Sequence, residues 1–402
     1  MLIVKKFGGS SVATIERINN VAKKCVEEYK KGNDVVVVLS AMGDTTDELL
    51  SLAAQISDRP SKREVDMLIS TGEQVSVALC SMAVQAMGVP AVSLNAMQVK
   101  MHTTRTYGNA RLKKINTGRI LHELENRRIV FVTGFQGVNA YDDVTTLGRG
   151  GSDTTAVAIA ASMHADACEI YTDVDGVYTC DPRIVPNAKK LKEITYDEMM
   201  DLATLGAQVL HNRSVSMAKK YNVPIVVRSS LIDAPGTIVK GVTTVEKRIV
   251  SGVAVDKSPA RISLIGLKDT PGTAYKVFGE LGRKGISVDI ILQSIGRDGT
   301  KDISFTVNKN DLAETIEILE AAKPVLEYSS LKHKESVAKV SIVGEGMATD
   351  SAVAATMFEA LYNADININM ISTSEIRITV LVDEDKADQA ARAIHDAFIP
   401  AD

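Results

Sequence analysis

Four short stretches set charged or hydroxyl side chains beside glycines or a turn, an arrangement suited to holding a charged ligand. In Lys6-Phe7-Gly8-Gly9-Ser10-Ser11, glycines let backbone N–H groups approach an anion closely, and Lys6 adds a full positive charge. Taken alone it reads equally as a glycine turn beside a solvated lysine; neither GxxxxGK[ST] nor GxGxxG spacing is present. In Leu147–Thr155, Arg149 is suited to grip a carboxylate or phosphate bidentately. Ser152, Asp153 or Thr154 is expected to cap the small-residue helix that follows, although a cap alone does not require two glycines. Thr172–Arg183 combines acids, an Asp-Gly turn and an arginine, reading as a nucleotide loop with acids near Mg2+ and Arg183 near phosphate, or as a plain turn. In Ser70-Thr71-Gly72-Glu73-Gln74, Glu73 is either a helix-dipole partner or the ligand of a substrate ammonium group. The histidines (His102, His122, His164, His211, His333 and His395) show no metal-ligand spacing, so none is assigned to catalysis and no metal ligand is assigned.

The elements that position these stretches alternate. Leu2-Ile3-Val4 precedes the first glycines, and Ile15, Ile18, Ala22, Cys25 and Tyr29 recur at helical spacing before a stop at Gly32-Asn33. Val35–Leu39 is apolar throughout, as a strand buried on both faces of a parallel sheet is. Ile129–Val132, Cys168–Tyr171 and Ile225–Val227 repeat that signature, each approached through a helix, so the first 230 or so residues read as an α/β domain. Its suspicious loops follow strands: Phe7–Ser11, Ser40–Thr46, Thr133-Gly134-Phe135 and Thr172–Gly176. Ligands of such sheets bind at the carboxyl ends of the strands.

Asp233-Ala234-Pro235-Gly236 reads as a boundary, beyond which the chain repeats itself. KVFGELGRKGISVDIILQS matches TMFEALYNADININMISTS, with Phe278, Ile286 and Ile291 each 80 residues before Phe358, Ile366 and Ile371. Each copy is expected to run strand, helix, strand, strand, helix, strand. The second lacks its last strand, and the spare candidate Ile249–Val255 is expected to complete it.

Length and composition bound the rest. The chain has 402 residues, 45% hydrophobic and 24% charged, with net charge −4 and no tryptophan. That suits two to four domains and argues against a basic nucleic-acid surface or a stacking reader of single strands. The four cysteines form no CxxC, which points away from zinc and disulfides and towards a reducing cytosol. Lys5 and Lys6 interrupt any signal-like apolar run and no stretch reads as a membrane span, so a cytoplasmic location is expected.

In order, KFGGSS, LSAMGDTTDELL, STGEQ, FQG, LGRGGSDTTA and TDVDGVYTCDPR, followed by the doubled tail, resemble the aspartate kinases of the amino-acid kinase superfamily over essentially the whole chain. The resemblance implies a kinase domain over 1–232, a linker over 233–248 and tandem ferredoxin-like ACT modules over 249–336 and 337–402. It implies phosphorylation of the L-aspartate side chain by ATP with Mg2+, subject to feedback by amino acids. By resemblance Lys6 neutralises the transferring phosphoryl group, Gly8 and Gly9 donate to phosphate, and Asp153 orients Lys6. Ser40, Thr46, Glu73, Arg149 and Ser152 would hold aspartate, and Thr172, Asp173, Tyr178, Asp181 and Arg183 the nucleotide. In the tail, Asp269, Gly272 and Ala274 would hold an effector carboxylate at a helix start, and Asp289 or Glu375 its ammonium, with Gln293, Asn367, Ile368 and Ser374 completing the sites. Lysine, threonine or both are the implied effectors, in a homodimer or higher oligomer with or without a shorter regulatory chain. Some members carry a lysine near ATP in GAKVLH, whereas here the stretch is GAQVLH and Gln208 cannot supply that charge. Two other readings stay open: an amino-acid kinase of different substrate, and an ACT sensor carrying an inactive kinase fold.

Overall fold

In the computed structural model, which describes residues 1–207, 209–243, 249–295 and 299–399, Val35–Leu39 is buried because it lies in the middle of an eight-stranded sheet. The strand order is β10 (Glu193–Thr195), β12 (Thr237–Lys240), β11 (Ile225–Ser229), β9 (Ala167–Thr172), β1 (Leu2–Phe7), β2 (Asp34–Leu39), β6 (Ile129–Thr133), β3 (Ala91–Leu94). All neighbours run parallel except β11 and β12. A smaller sheet joins β5 (Leu112–Lys114), β4 (His102–Thr103), β7 (Gln136–Val138) and β8 (Val144–Thr146). The helices of this part are α1 (Ile15–Lys30), α2 (Thr45–Ile56), α3 (Lys62–Ile69), α4 (Thr71–Ala86), α5 (Gly118–Glu125), α6 (Gly151–Met163), α7 (Tyr196–Thr204) and α8 (Asn212–Tyr221). Thr14 starts α1 by accepting from the Arg17 N–H, and its apolar stripe of Ile18, Val21, Ala22, Cys25 and Val26 is buried. Residues of α1, α4 and the sheet form one hydrophobic core.

Two sequence expectations change here. Asp233–Gly236 is no boundary: it is the turn between antiparallel β11 and β12, with Val227 opposite Thr237, so the supposed linker contains a sheet strand. The pair α3 and α4, Lys62–Ala86, is long and apolar enough by length and composition to cross a membrane, contrary to the reading of no such run. Half of that apolar window is buried within the fold, and Asp66 and Glu73 are buried inside the same stretch.

Lys5 is more than Lys6's neighbour on the opposite face of β1. It is 2% exposed, and its Nζ lies 2.5 Å from Glu169 and 3.3 Å from Glu28. Burial alone would lower its pKa, but the Tyr171 hydroxyl and the Glu169 carboxylate outweigh that and hold it above the ordinary lysine range. Lys5 and Glu169 are register partners on β1 and β9, the two strands that lead into the first glycine loop and the Thr172 loop. Removing one member of a buried pair strands the other's charge. Lys5→Met is therefore expected to destabilise this unit by about 3 kcal/mol, read from urea denaturation, and Lys5→Met with Glu169→Met to recover most of that loss.

By contact the chain divides into two units: Met1–Tyr178, Lys190–Thr204 and the described residues of 208–246 form the first; Thr179–Lys189, Leu205–Ala207 and the described residues of 247–402 form the second. The second holds two four-stranded antiparallel sheets. Its first module is β14 (Pro259–Lys268), α9 (Thr273–Arg283), β15 (Ile291–Ile295), β16 (Thr300–Asn308), α10 (Leu312–Ala321), α11 (Lys323–Leu326) and β17 (Ser330–Lys334), in sheet order β15-β16-β14-β17. The second module is β18 (Val337–Val343), α12 (Val353–Asn363), β19 (Met370–Thr373), β20 (Arg377–Asp383) and α13 (Ala387–Phe398). Its sheet order is β19-β20-β18-β13, where β13 (Gly252–Asp256) takes the edge that β17 takes in the first module. All four cysteines are free and buried, and burial pushes every thiol above its ordinary range.

Candidate active site

β9, β1, β2 and β6 are consecutive in the sheet and end level, with Phe7 opposite Tyr171 and Leu39, and Leu39 opposite Thr133. The loops leaving them are tied together: Gly43 N donates to Gly9 O at 3.1 Å, and Gly134 N to Leu39 O at 2.9 Å. Ser11 Oγ and Thr133 Oγ1 are buried at this end without a hydrogen bond to any described residue. Native interiors rarely leave such groups unpaired outside functional sites.

Alternation along β1 sends Lys6 to the face opposite Lys5. Its Nζ lies 2.6 Å from Asp153 Oδ1, with the side chains only 12% and 11% exposed. The contact is an ion pair off the angle of a hydrogen bond, so Oδ1 keeps hydrogen-bonding capacity. A Cβ on Gly8 would sit 3.4 Å from Lys6 Nζ, which places the ammonium directly over the glycine loop.

The expected side-chain cap of α6 is absent. Gly150 takes the N-cap position in a left-handed conformation with φ 69°, where a Cβ would meet the His211 ring at 2.2 Å. Because Gly150 can turn that way, the helix starts at Gly151, and Ser152, Asp153 and Thr154 fall inside its first turn. Their side chains are thereby released from capping. Ser40 Oγ donates to Ser152 Oγ at 2.9 Å, Asp153 meets Lys6, and the Thr154 hydroxyl turns back to Gly150 O. Gly134 lies against this turn, where a Cβ would come within 2.6 Å of Ser152 Oγ and 2.9 Å of Leu39 O. Gly134→Ala must displace Ser152 or the β2 end, so kcat/KM is expected to fall about tenfold or more. Steady-state kinetics beside an unchanged circular-dichroism spectrum would show it.

Glu73 is 2% exposed at the start of α4. Ala41 N donates to its Oε1 and Gln136 Nε2 to its Oε2, each at 3.2 Å. Burial raises its pKa to about 7, only partly opposed by the Gln136 amide and the backbone N–H groups of Glu73 and Ala41. A carboxylate held like this gains its charge near neutral pH and has a strong demand for a cation.

The remaining expected residues are spread more widely. Thr46 is half-buried in the first turn of α2. Arg149 is exposed and makes no ion pair with a described residue. Thr172 and Asp173 leave β9, the Thr172 hydroxyl donating to Asp173 at 2.9 Å. Tyr178 donates to Asp175 at 2.8 Å, and Lys190 also lies 2.8 Å from Asp175. Asp181 and Arg183, 2.7 Å apart, stand on the Thr179–Lys189 segment, which belongs to the second unit. Gln208 lies outside the described residues. In the second unit, Asp269, Gly272 and Ala274 line a cavity of about 470 Å³ at the start of α9. Asp289 contacts Lys339. Gln293 on β15 and Asn367, Ser374 and Glu375 beside β19 are exposed, and Ile368 packs against the second module's core.

Two further residues matter. Gln136, within the FQG stretch, bonds both Ser70 O and Glu73, coupling the small sheet to the start of α4. Asp66 is 1% exposed and accepts from Gly108 N, Thr146 N and the Thr146 hydroxyl, pinning the approach to Arg149. The sequence offers a signal for Gln136, a polar residue between two apolar strands in a glycine loop, but none for Asp66, whose partners lie 42 and 80 residues away.

A lysine–aspartate pair among glycine loops at the carboxyl end of a mostly parallel sheet suits phosphoryl transfer, and the chain belongs to the amino acid kinase family. Residues 1–229 match that family's model, and residues 262–322 and 340–398 match the ACT domain. Over its length it is similar to aspartokinases. It is 50% identical to the aspartokinase of Mycolicibacterium smegmatis across 99% of this chain and 96% of that one. Among solved structures it is similar to E. coli aspartokinase III in complex with aspartate and ADP (R-state), with TM-score 0.84, 27% identity and 99% of each chain covered. The same enzyme in complex with lysine and aspartate (T-state) gives TM-score 0.79 at 27% identity, again with 99% of each chain covered.

Proposed function

We propose that the chain transfers the γ-phosphoryl group of ATP to the side-chain carboxylate of L-aspartate, forming 4-phospho-L-aspartate and ADP. The observation that carries this reading is the Lys6–Asp153 pair at 2.6 Å among the strand-end loops. A carboxylate acceptor, with an ordinary aspartate pKa of about 3.9, is ionised at neutral pH and needs no general base. Its obstacle is charge: an anion must attack a polyanion. Fixed cations and backbone dipoles meet that obstacle, since phosphoryl transfer rests on positioning and electrostatic stabilisation.

In this reading the backbone of Gly8 and Gly9 cradles phosphate, and Lys6 balances charge on the transferring group while Asp153 holds the ammonium in place. One carboxylate oxygen of aspartate attacks phosphorus, and the bond to the bridging oxygen breaks to release ADP. Glu73 takes the substrate ammonium and Arg149 its α-carboxylate, with Ser40, Thr46 and Ser152 around it. Thr172, Asp173, Tyr178, Asp181 and Arg183 serve the nucleotide. Mg2+ would be carried on the phosphates, as is usual for that ion, and would supply further neutralisation. The donor set fits this: Asp175 is paired with Lys190 and Asp181 with Arg183, which leaves Asp173 as the loop carboxylate outside an ion pair among the described residues.

The second unit is read as the amino-acid sensor, with lysine or threonine as effectors. Strands β15 and β19 are both sheet edges, and Ile291, Leu292 and Ile371 on them are exposed apolar residues, which suits pairing with another copy. A coupled ADP-release assay with L-aspartate, L-glutamate and N-acetylglutamate, with hydroxylamine trapping of the acyl phosphate, tests the reaction. Aspartate-dependent ADP and hydroxamate are expected. Turnover with glutamate or acetylglutamate alone would replace the substrate, and amino-acid binding without any turnover would favour the sensor reading.

A further inference from the structure

The acid at the mouth of the α9 cavity is already neutralised from within the chain. Lys301, opposite Leu267 on the paired strand, places its Nζ 2.7 Å from Asp269 Oδ1. The lysine is 9% exposed whereas the aspartate side chain is 52% exposed, so the ammonium is the fixed partner and the carboxylate the open one. The cavity, about 470 Å³, is walled by Asp269–Tyr275 and Lys301. Gly272 starts α9 in a left-handed conformation without a side-chain cap, and the Thr273 hydroxyl turns back to Lys268 O and Thr270 O. Asp289, one of the two acids expected to receive an effector ammonium, is engaged as well: it contacts Lys339, which is 7% exposed and also lies 3.2 Å from Asp256.

We propose that Lys301 is the specificity-determining residue of this cavity: by holding Asp269 it selects an amino acid with a neutral side chain and rejects one that carries a second ammonium. The proposal rests on reading the second unit as an amino-acid sensor. A cationic side chain in the cavity needs a carboxylate. Asp269 then either shares one negative charge between two ammonium groups, leaving the cavity with an excess positive charge, or leaves Lys301, which strands a nine-tenths buried ammonium. A neutral side chain makes no such demand, and the ligand's own carboxylate meets the Lys301 ammonium and the N–H groups at the start of α9. Discrimination then comes from an unpaired charge imposed on the wrong ligand.

Isothermal titration calorimetry on the full chain, with L-threonine and L-lysine as probes, tests this. The unmodified chain is expected to bind threonine at least tenfold more tightly than lysine. Lys301→Met frees Asp269 and should move that ratio tenfold or more towards lysine. Lys301→Met with Asp269→Asn should return it towards threonine, and Lys301→Arg should keep the original preference. Lysine binding to the unmodified chain as tightly as threonine overturns the proposal and leaves the sensor reading intact. So does a ratio that Lys301→Met, with an undisturbed thermal midpoint, does not move. Binding of neither probe to any of these proteins overturns the sensor reading, and the proposal with it.

Discussion

Lys6→Met is expected to lower kcat for aspartate-dependent ADP release about a thousandfold or more, close to 4 kcal/mol of barrier. The change in KM for ATP should be small beside it. Lys6 is the last but one residue of a strand buried in mid-sheet, so its main chain is fixed by ladders to β2 on one side and β9 on the other. Its ammonium lies over Gly8 and against Asp153, both side chains being nearly buried. A cation held there does not have to be gathered from solvent as charge builds on the transferring group, and that preorganisation is what makes such groups effective. Methionine keeps the length and packing and removes only the charge. Arginine, larger and planar, should not rescue turnover, because the point charge over Gly8 is what the geometry supplies. Asp153→Asn keeps the shape but loses the ion pair, and a fall of about a hundredfold is expected through looser placement of Lys6. Steady-state kinetics with a thermal melt for each variant makes the check; turnover of the folded Lys6→Met protein within tenfold of the original would falsify the assignment.

How much of this was legible in the chain follows from which forces act locally. The buried parallel strands announced themselves through unbroken apolar runs such as Val35–Leu39, and strand ends then located the loops. Lys6 and Asp153 were recognisable as motif members, but their contact spans 147 residues of chain and exists only because β1 and α6 meet in the fold. The cap of α6 was misread because serine, aspartate and threonine are good caps by type, whereas a left-handed glycine ahead of them shifts the helix start and frees those side chains for the site. The turn at Asp233–Gly236 looked like a boundary because proline and glycine mark hairpin turns as readily as linkers. The buried role of Lys5 leaves no mark in the sequence, because a buried lysine is rare and its carboxylate partner lies on a strand far away in the chain. In the tail, the repeat marked the two modules, and the resemblance implied which loop would face a ligand. That Asp269 and Asp289 are each matched by a lysine is a property of the folded sheets alone.

Glu73→Gln is expected to separate stability from function in opposite directions. Burial raises the Glu73 pKa from 4.5 to about 7, so the folded state binds its proton more tightly than the unfolded chain does. A raised pKa contributes stability that is complete below about pH 4.5 and is lost as pH rises through about 7. Above that the protein carries a buried carboxylate at a cost on the order of 3 kcal/mol. Glutamine keeps the shape and can still accept from Ala41 N while removing the charge, so at pH 8 the variant should be the more stable protein, by up to about 3 kcal/mol. Below pH 5 the two should unfold at nearly the same denaturant concentration. Function moves the other way. If Glu73 receives the substrate ammonium, only its ionised form binds, and kcat/KM for aspartate should fall about tenfold for each pH unit below 7. Glu73→Gln should erase that limb and lower kcat/KM at pH 8 about a hundredfold, as expected for loss of a hydrogen bond between full charges. A stabilised variant whose aspartate kinetics keep the original acid limb would show that Glu73 is buried for the fold alone and that another group receives the ammonium. The joint outcome, a gain in stability with the limb gone, is the signature of a charge kept in the interior for its ligand.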